Sequence, residues 1–213
     1  MELERFILVC VFVALAVAPV MAQQLPASPI PVPVSLDPKT TALLVLDMAE
    51  SPCNAQPKCV ALVPRVASLL AAARKVGAWV IHSSADPIGI TAPITQPPSL
   101  GSVAPIRGEP VVIGGSQDRF FGTLLDQLLR RKNIVTLVLC GWRENGSVLY
   151  TAVGATIRNY TVVVADDATS ATQDYDVAIG RYQLLTQLNA NPNNEPLKQA
   201  AVTLSRTDLI AFR

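Results

Sequence analysis

"TLVLCGWRENGSVLYTAVGATIRN", residues 136–159, is the stretch that decides how this chain is read. A short apolar run of strand length, residues 136–142, passes through a tight turn into a helical pattern that carries Gly146 and Ser147 in its first turn. In an α/β protein such a strand–turn–helix step is a natural place for chemistry. The first amides of a helix have no intrahelical partner, so they can face a developing negative charge. A small hydroxyl residue at that point has three readings: a nucleophile, a helix cap or a polar wall.

Strand and helix signals alternate on both sides of this stretch. Residues 41–48, "TALLVLDM", form a continuous apolar run that ends in Asp47. Over residues 59–76 the apolar positions Leu62, Val63, Val66, Leu69, Leu70 and Ala73 recur at helical spacing, and Gly77 closes the helix. "AWVIHSS" is a second strand and "EPVVIG" a third. Between them lies a Pro- and Gly-rich loop, residues 86–107, of the length usually found over sites or at partner surfaces. "TLLDQLLRRKN" reads as a helix, residues 136–142 as the fourth strand, residues 146–159 as a helix and "YTVVVADDA" as the fifth strand. Helical patterns over residues 175–188 and 195–201 precede a short strand at residues 202–205. Strands apolar throughout are covered on both faces, and their alternation with helices predicts right-handed βαβ units. The expected fold is a three-layer α/β/α sandwich around a mostly parallel, Rossmann-like six-stranded sheet. Ligands in such folds bind beyond the carboxyl ends of the strands, which selects Asp47, His82, Gly114, Trp142 and the Gly146–Ser147 turn for one crevice.

The chain has 213 residues and a formal net charge of +1, with no basic patch, so nucleic acid is not an expected partner. Residues 1–22 read as a signal peptide: an apolar run over residues 6–17, then Pro19 and a small-residue site at Val20 and Ala22. Residues 23–39 read as a Pro-rich tether with nothing to bury, and residues 40–213 as the domain. No membrane contact is expected after cleavage, and the protein is expected to be secreted or periplasmic. In an oxidising compartment Cys53 and Cys59 can close a short local disulfide, or remain as two thiols. Cys140, in an apolar strand, reads as a buried small hydrophobe. Two sequons, at Asn145 and Asn159, matter only if the host glycosylates exported proteins.

These segments, in this order, resemble the isochorismatase-like cysteine hydrolase superfamily, which includes isochorismatases, nicotinamidases and N-carbamoyl amidohydrolases. The resemblance rests on "ALLVLDM", "GAWVIHSS", "FFGTLLDQLL", "LVLCGW", "SVLYTAVGA" and "YTVVVADDATSA", and covers nearly all of the chain after the tether. It implies the isochorismatase-like hydrolase fold, hydrolysis of a small-molecule ligand, no cofactor and a homo-oligomer. The working set of that family is an Asp after the first strand, a Lys after the third and a Cys opening the helix after the fourth. Asp47 matches the first. The Lys position falls at or near Gly114, and the Cys position falls on Ser147. A serine hydroxyl is far harder to ionise than a thiol and needs a positioned base, and without the Lys the helpful positive charge is expected to be gone. Isochorismate-cleaving members of the family hydrolyse a vinyl ether, with the Asp protonating the substrate, and some of them lack the Cys.

The candidate site residues are therefore Asp47 and Ser147 as catalytic groups, with His82, Trp142, Gly146 and Arg119 toward the substrate. Each also has a plain reading. Asp47 can cap its own loop, Ser147 the helix start, and Trp142 can simply pack. His82 is the only histidine. A Ser–His–Asp triad requires it beside Ser147, and a lone histidine gives no zinc ligand set. Arg119 can reach in, but a guanidinium does not act as a base. Arg143 and Glu144 read as exposed turn residues, and Asp166 and Asp167 as structural. The functional readings are a small-molecule hydrolase using Asp47 on a vinyl ether or amide, a binding protein that keeps the pocket without turnover, and an interaction module built on residues 86–107.

Overall fold

Residue-by-residue description in the computed structural model covers residues 29–85 and 99–213; the signal peptide and the first part of the long loop lie outside it. In chain order the elements are β1 (Val34–Leu36), β2 (Thr41–Leu46), the single turns α1 (Glu50–Cys53) and α2 (Pro57–Val60), α3 (Val63–Lys75), β3 (Trp79–Ala85), β4 (Val111–Gly114), α4 (Leu125–Arg131), β5 (Thr136–Trp142), α5 (Leu149–Ile157), β6 (Thr161–Ser170), α6 (Asp174–Thr186), β7 (Val202–Ser205) and β8 (Ile210–Phe212). A short π-helical turn, Glu144–Val148, joins β5 to α5.

Six strands form one parallel sheet in the order β4-β3-β2-β5-β6-β7. Every residue of β2 is buried, so consecutive side chains, which point to opposite faces, must both find apolar cover. Leu43 and Val45 join Val80, Val138 and Val163 beneath Val66, Leu69, Leu70 and Ala73 of α3. Ala42, Leu44 and Leu46 join Ile81, Leu139 and Val164 against Leu125 and Leu129 of α4, Ala152 and Ala155 of α5, and Leu184 and Leu185 of α6. The three-layer reading holds, with a core on each side of the sheet.

The chain starts in the middle of the sheet, runs outward through β3 and β4, and returns to β5 on the other side of β2. The carboxyl ends of β2 and β5 therefore diverge from one switch point, the place where such sheets bind ligands. Leu46 and Gly141 are register partners there. Gly141 has φ +113°, and a Cβ at this position would lie 2.1 Å from the Leu46 carbonyl oxygen. Only glycine allows the two strand ends to approach this closely.

Two expectations need correction. The described part of the supposed tether is folded: Val34 and Leu36 are buried, β1 pairs in parallel with β8, and the Val32 amide donates to the Leu204 carbonyl. Residues 195–201 are not helical. Asn191 donates to the carbonyls of Glu195 and Val202, Asn194 exchanges hydrogen bonds with Leu204, and Leu197 and Ala200 have positive φ. Within that stretch the Glu195 carbonyl, which a helix would pair, is taken by Asn191 Nδ2 and Thr203 Oγ1. The long loop is described only from Ser99, which bridges to Ala49, while the Leu100 amide donates to Met48. This part of the loop thus lies against the segment that follows Asp47.

Cys53 and Cys59 are joined by a disulfide that fastens α1 to α2. Cys140 is a fully buried free thiol, and burial alone pushes its pKa far up, so it is inert. The Gly141→Ala substitution tests the switch-point contact. It should cost about 3 kcal/mol or more in denaturant unfolding, because both φ and space are incompatible with a side chain; an unchanged midpoint would contradict the close approach.

Candidate functional site

Asp47 follows the last residue of β2 and takes a left-handed conformation, φ 52°, which Asp tolerates better than most residues. Its amide donates to the Ser83 carbonyl at 3.2 Å, and the Ser83 hydroxyl donates to Asp47 Oδ1 at 2.9 Å. The β3 residue in register with Leu46 is Ser83, so the neighbouring strand holds Asp47 through both its backbone amide and its carboxylate.

The other carboxylate oxygen, Oδ2, accepts from the Ser147 hydroxyl and from Arg119 Nη2, each at 2.5 Å. Arg119 Nη2 also donates to Ser147 Oγ at 3.0 Å. Asp47, Arg119 and Ser147 are 5%, 2% and 6% exposed, so the triangle is a buried one. A guanidinium has only donors. The Ser147 oxygen therefore accepts from Arg119 and must turn its own proton toward Asp47. The proton sits between the hydroxyl and the carboxylate, and its direction is fixed by the cation.

Arg119 comes from the segment between β4 and α4. Its Nη1 donates to the carbonyls of Gly114 and Ser116 at 2.7 and 2.6 Å, and its amide donates to Thr151 Oγ1 on α5. The expected loss of positive charge is thus corrected. The strand-end position at Gly114 has no side chain, but it offers a carbonyl that helps to aim a guanidinium from five residues downstream. Arg119 Nε is buried and has no hydrogen-bond partner among the described residues.

The triangle lines a hollow of roughly 240 Å³ together with Ala85, Gly115, Ser116, Gln117, Trp142, Arg143 and Gly146. Trp142 and Gly146 lie in the wall as expected. The Gly146 amide, however, is not available to an anion: it donates to the Arg143 carbonyl at 3.0 Å, and the Val148 amide does the same at 3.1 Å. The turn consumes these donors, so cationic side chains supply the positive field of the hollow.

His82 is not among the lining residues. Successive strand residues point to opposite faces, so Ser83 faces Asp47 while His82 Nε2 meets Glu109 at 2.8 Å. Arg74 also pairs with Glu109, through Nε at 2.8 Å and Nη2 at 2.9 Å. Burial opposes ionisation of Glu109, but Arg74, the Ile106 amide and His82 outweigh it and bring its pKa down to about 2. Burial lowers the pKa of His82. This cluster fastens α3 to β3 and to the end of the long loop, and no Ser–His–Asp triad forms.

Glu144 is not the exposed turn residue expected. It is 0% exposed, accepts from Thr169 Oγ1 at 3.1 Å and lies against Gly180 of α6. Burial pushes its pKa up to about 8, only partly offset by Arg181. Arg181 lies 3.5 Å from Glu144 but 2.5 Å from Asp166. The longer contact exceeds ordinary hydrogen-bond distance, so we read Glu144 as the protonated member of this group at neutral pH. Asp167 receives the amide and hydroxyl of Thr207, a structural role.

Ser83, Ser116 and Gln117 were not marked by sequence reasoning. Ser83 was accessible from the parallel register of β2 and β3; Ser116 and Gln117 lie on an irregular segment with no periodic signal. Among the described residues there is no cluster of three or more His, Cys, Asp or Glu placed to hold a metal ion.

The Isochorismatase domain model matches residues 41–190. Over 157 residues the chain is 32% identical to the uncharacterized isochorismatase family protein YecD of Escherichia coli O157:H7, covering 65% of this chain and 84% of that protein. It is 34% identical over 145 residues to a streptothricin hydrolase of Streptomyces noursei, covering 65% of this chain but only 57% of that relative. Among solved structures, an isochorismatase family protein from Desulfovibrio vulgaris superposes with a TM-score of 0.63 at 26% identity, covering 79% of this chain and 95% of that one. N-carbamoylsarcosine amidase from Thermoplasma acidophilum superposes with a TM-score of 0.64 at 25% identity, covering 79% and 97%.

The burial of Glu144 has a measurable consequence. Its folded pKa of about 8 lies above the ordinary 4.5, so between these values the folded state keeps a proton that the unfolded state has lost. Stability therefore falls as pH rises from about 4.5 to about 8, by up to about 1.4 kcal/mol per pH unit from this group. Glu144→Gln should remove that slope in urea unfolding measured from pH 5 to pH 8, and parallel curves for the two proteins would refute the assignment.

Proposed function

The chain belongs to the isochorismatase family, and on that premise we propose that it hydrolyses small amides with Ser147 as nucleophile and Asp47 as base. The observation that carries this reading is the directed hydrogen bond from Ser147 Oγ to Asp47 Oδ2, imposed by Arg119. As Oγ attacks the substrate carbonyl carbon, its proton passes to Oδ2. The Arg119 guanidinium, 3.0 Å from Oγ, supplies positive charge beside the developing oxyanion. Collapse of the tetrahedral adduct expels the amine, which takes the proton back from Asp47. Water then repeats the sequence on the acyl-serine, with Asp47 again accepting the proton, and the acid is released.

The same geometry speaks against vinyl ether cleavage. That reaction asks the carboxyl to donate a proton, whereas Asp47 accepts from Ser83, Ser147 and Arg119 together. The similarity to an N-carbamoylsarcosine amidase and a streptothricin hydrolase supports hydrolysis as the reaction class. The apolar run over residues 6–17 and the Cys53–Cys59 bridge support export to an oxidising compartment.

A screen of small primary amides, following ammonia release, tests the chemistry. Ser147→Ala and Asp47→Asn should each lower kcat by about a thousandfold or more. Arg119→Lys should lower it by roughly ten- to a hundredfold, since an ammonium cannot reproduce the planar fork. Turnover that survives Ser147→Ala would exclude the serine as nucleophile. For export, amino-terminal sequencing of the protein from a cell expressing the full chain should begin at or near residue 23; a chain beginning at Met1 would contradict it.

A further inference from the structure

The cations lining the hollow differ in what they hold. Arg119 is committed to Asp47, Ser147 and two backbone carbonyls. Arg143, half-buried in the same wall, makes no ion pair or side-chain hydrogen bond among the described residues. A partly desolvated guanidinium without a counter-charge is costly unless a ligand supplies one. Its placement is defined by Gly146. A Cβ there would lie 3.6 Å from Arg143 Nε and 3.7 Å from Gln117 Oε1, so the two polar side chains converge over a bare glycine next to the reactive serine. Rotation of the Gln117 carboxamide presents its N–H groups to the same point.

We propose that Arg143, with Gln117, is the specificity determinant for a carboxylate on the substrate, which makes the preferred substrates acidic amides whose carboxylate is bound over Gly146 while the amide carbonyl meets Ser147. This rests on the hydrolase reading. Among the described residues the hollow already carries the charge that balances Arg119, namely Asp47, and an anionic substrate would balance Arg143. Arg143 forms the planar, two-pronged contact that suits a carboxylate.

The test uses the monoamides of malonate, succinate and glutarate, each beside a neutral isostere in which isopropyl replaces the carboxylate, such as 4-methylpentanamide for succinamate. With the unmodified protein, kcat/KM should favour the acidic member of at least one pair by about ten- to a hundredfold. Arg143→Gln should reduce that preference to within a factor of about three, and Arg143→Lys should restore part of it. Equal rates on both members, or a preference that persists in Arg143→Gln, would overturn the proposal while leaving the hydrolase reading intact. Absence of turnover throughout would count against the hydrolase reading instead. Calorimetric binding of the same pairs then decides: tighter binding of the acid that is lost in Arg143→Gln supports the carboxylate subsite, and no preference at millimolar ligand overturns it.

Discussion

The buried ion pair between Arg119 and Asp47 is the constraint on which the site depends. Removing two charges from water costs several kcal/mol per ion, and the cost is recovered only where geometry and additional hydrogen bonds are good. Here the Asp47 oxygens are filled by Ser83, Ser147 and Arg119, and Nη1 of the guanidinium by the Gly114 and Ser116 carbonyls. The pair therefore does more than neutralise charge. It determines which way the serine proton points, so the Ser147 hydroxyl is already bonded to the carboxylate that the proposed hydrolysis would use as its base.

Everything that brings these groups together follows from the sheet. Parallel order with a return crossing places the ends of β2 and β5 side by side, Gly141 lets them touch, and the π-helical turn after β5 swings Ser147 back over Asp47. Arg119 arrives from a third direction, anchored through its amide to Thr151 on α5. Asp47, Arg119 and Ser147 thus come from elements far apart in the chain but are held by one sheet, the kind of placement that the proposed reaction requires.

Much of the scaffold was legible in the sequence because its signals are local and repeated. Apolar strands such as residues 41–46 and 136–142 are buried on both faces and read as such. Asp47 and Ser147 were found because each closes such a strand or opens the helix after it. The failures have different physical causes. The helical pattern at residues 195–201 was overridden by Asn191 and Asn194, whose side chains take backbone partners at a distance that periodicity does not encode. The prolines of the supposed tether hid Val34 and Leu36, which pack only because β8 returns beside them. His82 was placed one residue off the relevant face. Glu144 looked exposed because a turn residue gives no hint of the α6 surface that covers it. Arg119 was visible as a cation, but its reach depends on the path of an irregular segment, which composition does not specify.

The proposed hydrolysis requires the Asp47-bonded hydroxyl to form a covalent bond to the substrate acyl group. It is tested most directly by rapid mixing with an activated acyl ester, followed by intact-mass and peptide-mass analysis. A single acyl adduct should form on the peptide containing Ser147 in the unmodified protein, and far more slowly in Asp47→Asn. An adduct on any other residue, or hydrolysis that proceeds at full rate with no adduct on Ser147 at any time, would contradict it.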